Sequence, residues 1–179
     1  MLEVMRLQEL LEKNIEFNPN NIQQMKVAGP EILAEVDDAL QDYFGEYEVF
    51  SSEEMLYVPI ENFNIFFKGF VDAVVKVGDT YHLFDWKTCS WGWDSRKKAE
   101  KLVTYQLTLY KHFFCLKHKI DPKQVETHFA LLKRTAKKNR VEIFRVTSGP
   151  KKTENALKLL YQAIYNITTR FSVKNRLHC

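Results

Sequence analysis

The sequence predicts an α/β fold, a mixed central β-sheet flanked by α-helices. Three observations carry this. Phe66–Lys76 and Tyr81–Thr88 are rich in Phe, Val, Tyr and Trp and flank Gly78-Asp79, which reads as two strands and a tight turn. A second pair of alternating runs follows at Glu126–Lys133 and Arg140–Val146. Around these lie segments with the three-and-four apolar spacing of amphipathic helices. With 179 residues, 45% of them apolar and 27% charged, the chain suits one domain with a proper core.

Leu2–Lys13 carries apolar residues at 4, 7, 10 and 11 and is expected to be helical. Asn18-Pro19-Asn20-Asn21 reads as a turn. Pro30 suits the first turn of a second helix, with Ile32, Leu33, Val36, Ala39, Leu40 and Phe44 on one face and Gly45 as its stop. Tyr47–Ile60 reads as one or two strands, and Pro59 marks an edge or an end. After the hairpin comes a loop with two tryptophans, then a long helix capped by Asp94 or Ser95 and running to about Lys117. Asp121-Pro122 breaks the chain before the second hairpin. Thr153–Thr169 is a closing helix with Ala156, Leu157, Leu160, Ile164 and Ile167 inward, and Phe171–Cys179 is expected to fray. The expected organisation is a helical N-terminal part at 1–45, a core at about 47–147 and a closing helix at 153–169.

The net charge of +3 permits a polyanionic partner without demanding one. No run of eighteen apolar residues exists, and the N-terminus lacks a signal peptide's apolar region, so an intracellular location is expected. Three scattered cysteines argue against a disulfide framework and against a four-cysteine iron–sulphur cluster. None of the five histidines stands at ligand spacing from another His or Cys, so no zinc site is expected. Phosphate-loop and Gly-x-Ser-x-Gly motifs are absent, which leaves ATP-driven chemistry and serine hydrolysis without support.

The first hairpin holds the chemistry. Counted outward from a Gly78-Asp79 turn, the register sets Asp72 opposite Asp85, with Cβ atoms roughly 5 Å apart. Lys87 projects from the same face two residues on. Two opposed carboxylates in apolar strands repel, and a hard divalent cation, Mg²⁺ or Mn²⁺, is the natural neutraliser.

Gly69-Phe70-Val71-Asp72, the turn, and Asp85-Trp86-Lys87-Thr88 together resemble the core of the PD-(D/E)XK phosphodiesterase superfamily. Gln106 and Tyr110, four apart on the following helix, are similar to the Gln-x-x-x-Tyr element of its RecB-like branch. Val71 stands where the eponymous proline would be, and Asp85 where Glu is common. The resemblance implies a restriction-endonuclease-like core and metal-dependent hydrolysis of DNA. Asp72, Asp85 and one acid from the preceding strand, Glu54 ahead of Glu53, would hold the metal, with the Trp86 carbonyl as a further ligand. Lys87, Gln106 and Tyr110 would complete the catalytic set. An exonuclease of DNA ends or single strands is the expected activity, alongside replication or recombination proteins and in the cytoplasm or with the replicating DNA. The competing expectation is a non-catalytic nucleic-acid-binding or assembly module that keeps the fold.

Trp91 and Trp93 read either as core residues or as stacking platforms for bases. Arg96, Lys97 and Lys101 at the helix start, with Lys133, Arg134 and Lys137 at the second hairpin's turn, are candidate phosphate contacts.

Overall fold

A computed structural model describes residues 19–171. Its elements run α1 (Pro19–Ala34), α2 (Val36–Phe44), β1 (Glu48–Pro59), β2 (Phe66–Val77), β3 (Thr80–Cys89), α3 (Ser95–Lys98), α4 (Lys101–His118), a short 3-10 turn (Pro122–Gln124), β4 (Val125–Lys133), β5 (Val141–Val146) and α5 (Pro150–Thr168). The strands form one mixed sheet in the order β1-β2-β3-β4-β5. Only β3 and β4 run parallel, joined through α3 and α4, so the expected fold class holds.

Several local expectations change. The N-terminal helix expected at Leu2–Lys13 and the tail beyond Phe171 lie outside the described residues. The Pro19 segment is helical, not a turn, and Pro30 sits inside α1. The break comes instead at Glu35, before α2. The long helix after the tryptophans is split at Ala99–Glu100. Asp94 caps only the short first piece, its Oδ1 accepting the Lys97 N–H at 2.8 Å. Ile167 of α5 is 76% exposed, which corrects its expected inward place, while Ala156 and Ile164 are buried as expected.

The two sheet faces are covered differently. On one, Leu56, Val58, Val71, Val74 and Leu83 pack under Phe113 and Phe114 of α4 and Ile164 of α5. On the other, Val75, Phe84 and Ala130 pack against Leu40 of α2. Each such fully buried Leu or Phe contributes roughly 1.5–3 kcal/mol, so α4 is held rigidly across its strands. It crosses the sheet obliquely. Leu107 near its start shares a cluster with Phe129 of β4, while His118 at its end lies 5.5 Å ring to ring from Phe50 of β1. That crossing carries Gln106 and Tyr110 over the middle strands.

Candidate active site

The hairpin register is as expected from Val77–Thr80 to Ala73–Phe84, and there the ladder ends. Asp72 and Asp85 stand one step beyond the last ladder pair, so their expected opposition is not a hydrogen-bonded pairing. The cause is a break in alternation. Val71 and Val74, three residues apart, enter the same cluster, and on the facing strand Glu53 adopts a positive φ of 49°. β2 leaves β3 at this point, and the Asp72 carboxylate bridges the gap. Its Oδ2 accepts the backbone N–H of Trp86 at 2.7 Å.

Asp85 follows Leu83 by two residues and faces α4. It is 4% exposed. Burial raises its pKa above the ordinary carboxylate value and the Asp72 charge adds to the rise, while Lys87 works against both. Gln106 ties the group together. Its Nε2 donates to Asp85 Oδ1 at 2.9 Å and to Tyr110 Oη at 3.0 Å, and its Oε1 accepts from Lys87 Nζ at 3.4 Å. Lys87 Nζ also forms an ion pair with Asp85 Oδ2 at 2.6 Å. Oδ2 is thus a buried oxygen whose close polar partner among the described residues is the Lys87 ammonium alone. An ionised carboxylate in that state fits a cation.

Glu54 is not brought to this cluster. It shares the face of Leu56 and Val58, as its strand parity requires, but its Oε1 accepts from Lys117 Nζ and His118 Nε2, each at 2.7 Å. Those residues lie at the far end of α4, eleven and twelve residues from Gln106, or about 16–18 Å along the helix axis. Burial alone would raise Glu54, yet the Lys117 and His118 hydrogen bonds outweigh it and hold the carboxyl below its ordinary 4.5. A depressed carboxylate contributes stability above its unfolded pKa and loses it as pH falls through the folded value. Glu54→Gln is therefore expected to cost roughly 1–3 kcal/mol near neutral pH. The deficit should shrink as melting curves are taken below pH 4.5. Full stability with lost activity would return Glu54 to the site. Glu53 is the acid that lies level with Asp72, between the pairs Ser52–Ala73 and Glu54–Val71.

Tyr110 reaches its place because residue 69 is glycine. A Cβ at Gly69 would lie 2.9 Å from Tyr110 Cε1 and 3.2 Å from Phe67 Cε1. Gly69→Ala is expected to displace Tyr110, and with it Gln106, at a cost of about 1–3 kcal/mol from overpacking. Thermal unfolding and turnover should fall together, and unchanged values for both would mean that the ring has free room. Gly69 is visible in the sequence, but nothing local marks its contact with a helix 41 residues on.

The tryptophans divide. Trp93 packs on Phe129 and Phe144, with ring centroids 5.2 and 6.2 Å away, and is a core residue. Trp91 is 75% exposed. Its loop is held to the second basic segment, with Arg134 N–H donating to Cys89 O at 2.9 Å and Thr135 N–H to Ser90 O at 3.2 Å. Arg96, Lys97, Lys101 and Lys137 are exposed. Lys97 Nζ sits 4.9 Å above the Trp93 ring. Lys133 pairs with Glu142 at 3.6 Å, and Arg134 donates to Ser90 Oγ at 3.3 Å. Composition alone missed Glu142 and Lys98, whose 2.6 Å pair ties β5 to α3.

The sequence profile of the PD-(D/E)XK nuclease superfamily matches residues 3–179. No curated protein sequence matches the chain. Among solved structures, a Eubacterium rectale protein described as a candidate exonuclease superposes with a TM-score of 0.57 at 12% identity, covering 96% of this chain and 65% of its own. The structure of SSO0001 gives a TM-score of 0.47 at 14% identity, covering 98% of this chain and 72% of its own. This chain thus spans about two thirds of the Eubacterium rectale protein.

Proposed function

This chain belongs to the PD-(D/E)XK nuclease superfamily, and on that premise we propose that it is a divalent-metal-dependent nuclease that cleaves DNA phosphodiester bonds. The observation that carries the reading is the network Asp85, Lys87, Gln106 and Tyr110, with Asp72 held beside it by the Trp86 N–H, assembled from β2, β3 and α4 around a buried carboxylate paired with a lysine. Asp72, Asp85 and the Trp86 carbonyl are the groups that would hold Mg²⁺ or Mn²⁺. Such an ion supplies Lewis-acid polarisation of a phosphate and a more acidic water.

The chain's own residues do the rest. The Trp86 N–H orients the Asp72 carboxylate. Gln106 holds Asp85 with one end and Lys87 with the other, so the acid and the ammonium keep a set distance from each other. The Lys87 ammonium would steer the attacking water and offset charge growing on the phosphate. A retained but inactive binding module would have no need of the Lys87–Gln106–Asp85 chain.

Trp91 and the exposed cations beside it support action on single strands or DNA ends, as an exonuclease in replication, recombination or repair. Labelled single-stranded and blunt duplex DNA, with RNA as a third arm, should be cut in Mg²⁺ or Mn²⁺ and spared in EDTA. Binding without cleavage under every metal condition would favour the assembly module. On the single strand, Trp91→Ala is expected to weaken binding by about 1–3 kcal/mol, the worth of one stacked base. Trp93→Ala should instead lower stability by roughly 3–5 kcal/mol as a core truncation. Unchanged single-strand affinity in Trp91→Ala would remove the stacking role.

A further inference from the structure

The sheet face opposite the acidic site holds a second cluster of ligating side chains. His82 of β3 pairs in parallel register with Glu126 of β4, and Phe84 with His128, so alternation brings both histidines and the glutamate to one face. A ligating atom of each lies within 4.8 Å of the other two. His82 Nδ1 stands 3.7 Å from Glu126 Oε2. Donor atoms around a tetrahedral zinc, with bonds of about 2.0–2.1 Å, lie about 3.3 Å apart, so the His82–Glu126 gap needs a small closure and the separations to His128, within 4.8 Å, a larger one.

Both imidazoles are buried, at 7% and 1% exposure, and Nδ1 of each has no hydrogen-bond partner among the described residues. Two orphaned ring nitrogens this deep need an explanation, because a buried polar atom without a partner is costly. The walls offer none. Phe44 of α2 lies 4.6 Å from the His82 ring and 5.5 Å from His128, Tyr43 packs edge-on to His128 at 5.6 Å, and Phe84 stacks on it at 5.2 Å.

We propose that His82, Glu126 and His128 bind a zinc-class divalent ion, at a site separate from the hydrolytic centre and serving to pin β3 to β4 beneath α2. Two imidazoles and a carboxylate suit zinc, whereas the carboxylates and carbonyl of the other face suit magnesium. Burial pulls both histidines below the ordinary imidazole pKa, His128 to about 3, so their lone pairs are free at neutral pH. The carboxylate is already oriented. Arg145 Nη2 forms an ion pair with Glu126 Oε1 at 2.7 Å and leaves Oε2 facing His82. The Arg145 charge opposes the ion, but its side chain is 55% exposed and screened by solvent. Glu126, whose side chain is 24% exposed, is the open side through which an ion enters.

The test uses the full chain carrying Asp72→Asn and Asp85→Asn, so that the acidic site cannot bind the probe. Co²⁺ is titrated while its visible ligand-field bands are followed, and the melting temperature is measured with and without Zn²⁺. One equivalent of Co²⁺ should give low-symmetry bands that Zn²⁺ displaces, and Zn²⁺ should raise the melting temperature. Both signals should vanish when Glu126→Gln or His128→Gln is added. If His128→Gln fails to fold, Glu126→Gln carries the test, since Glu126 is only half-buried. Absence of bands in the folded background, or bands that persist in Glu126→Gln, would overturn the proposal. A failure of DNA cleavage would leave it untouched, because neither readout depends on the hydrolytic site.

Discussion

Asp85→Asn is expected to reduce DNA cleavage by at least about 100-fold, the loss of several kcal/mol of charge stabilisation at the reacting phosphate. The same substitution should leave the metal-free fold intact or raise its melting temperature. Asp85 is 4% exposed, and burial holds its pKa above the ordinary value, so the charged form is carried at a cost to the folded state. The sign follows by linkage. An acid whose folded pKa is raised adds stability below its unfolded pKa and loses it as pH rises through the folded one. Asn at this position can still accept from Gln106 and carries no charge, so that part of the pH dependence should disappear. Asp72→Asn should also abolish cleavage while its amide oxygen keeps the Trp86 N–H bond. Full metal-dependent activity in both variants, measured on end-labelled DNA, would sink the site.

Lys87→Ala should lower the single-turnover rate by two or more orders of magnitude, with substrate affinity changed only a few-fold. Its ammonium sits 2.6 Å from Asp85 and 3.4 Å from Gln106, at the reacting centre and away from the exposed cations that would grip the backbone. A charge that matters most in the transition state shows in kcat. The variant should also lose stability, because it leaves the buried Asp85 charge with one counter-charge fewer. Equal losses in affinity and rate would recast Lys87 as a phosphate anchor.

The hairpin, its turn and the mixed sheet were legible from residue order, and the resemblance grouped Asp85, Lys87, Gln106 and Tyr110. β-propensity, the Gly78 turn and the helical four-residue spacing are local properties, and they survive whatever packs around them. Family resemblance supplied the roles, and hydrogen bonds join Asp85, Lys87, Gln106 and Tyr110. At the site, the points misjudged or left open involve a choice between partners distant in sequence. Glu54 had the right parity, but parity names a face and not a position along it, and the oblique path of α4 put Lys117 and His118 within its reach. Trp91 and Trp93 look alike in the chain, and only the space beside Phe129 and Phe144 takes one of them in.

The histidines show the same division. Read along the chain, His82 and His128 are 46 residues apart and at no ligand spacing. Parallel pairing of β3 with β4 is a long-range event, set by the crossover through α4, and it brings them to a ring separation of 5.2 Å. Periodicity along a strand or helix is written in the sequence because it depends on near neighbours. Register between strands joined by a long crossover depends on the packing of everything between them, and it exists only once the sheet has closed.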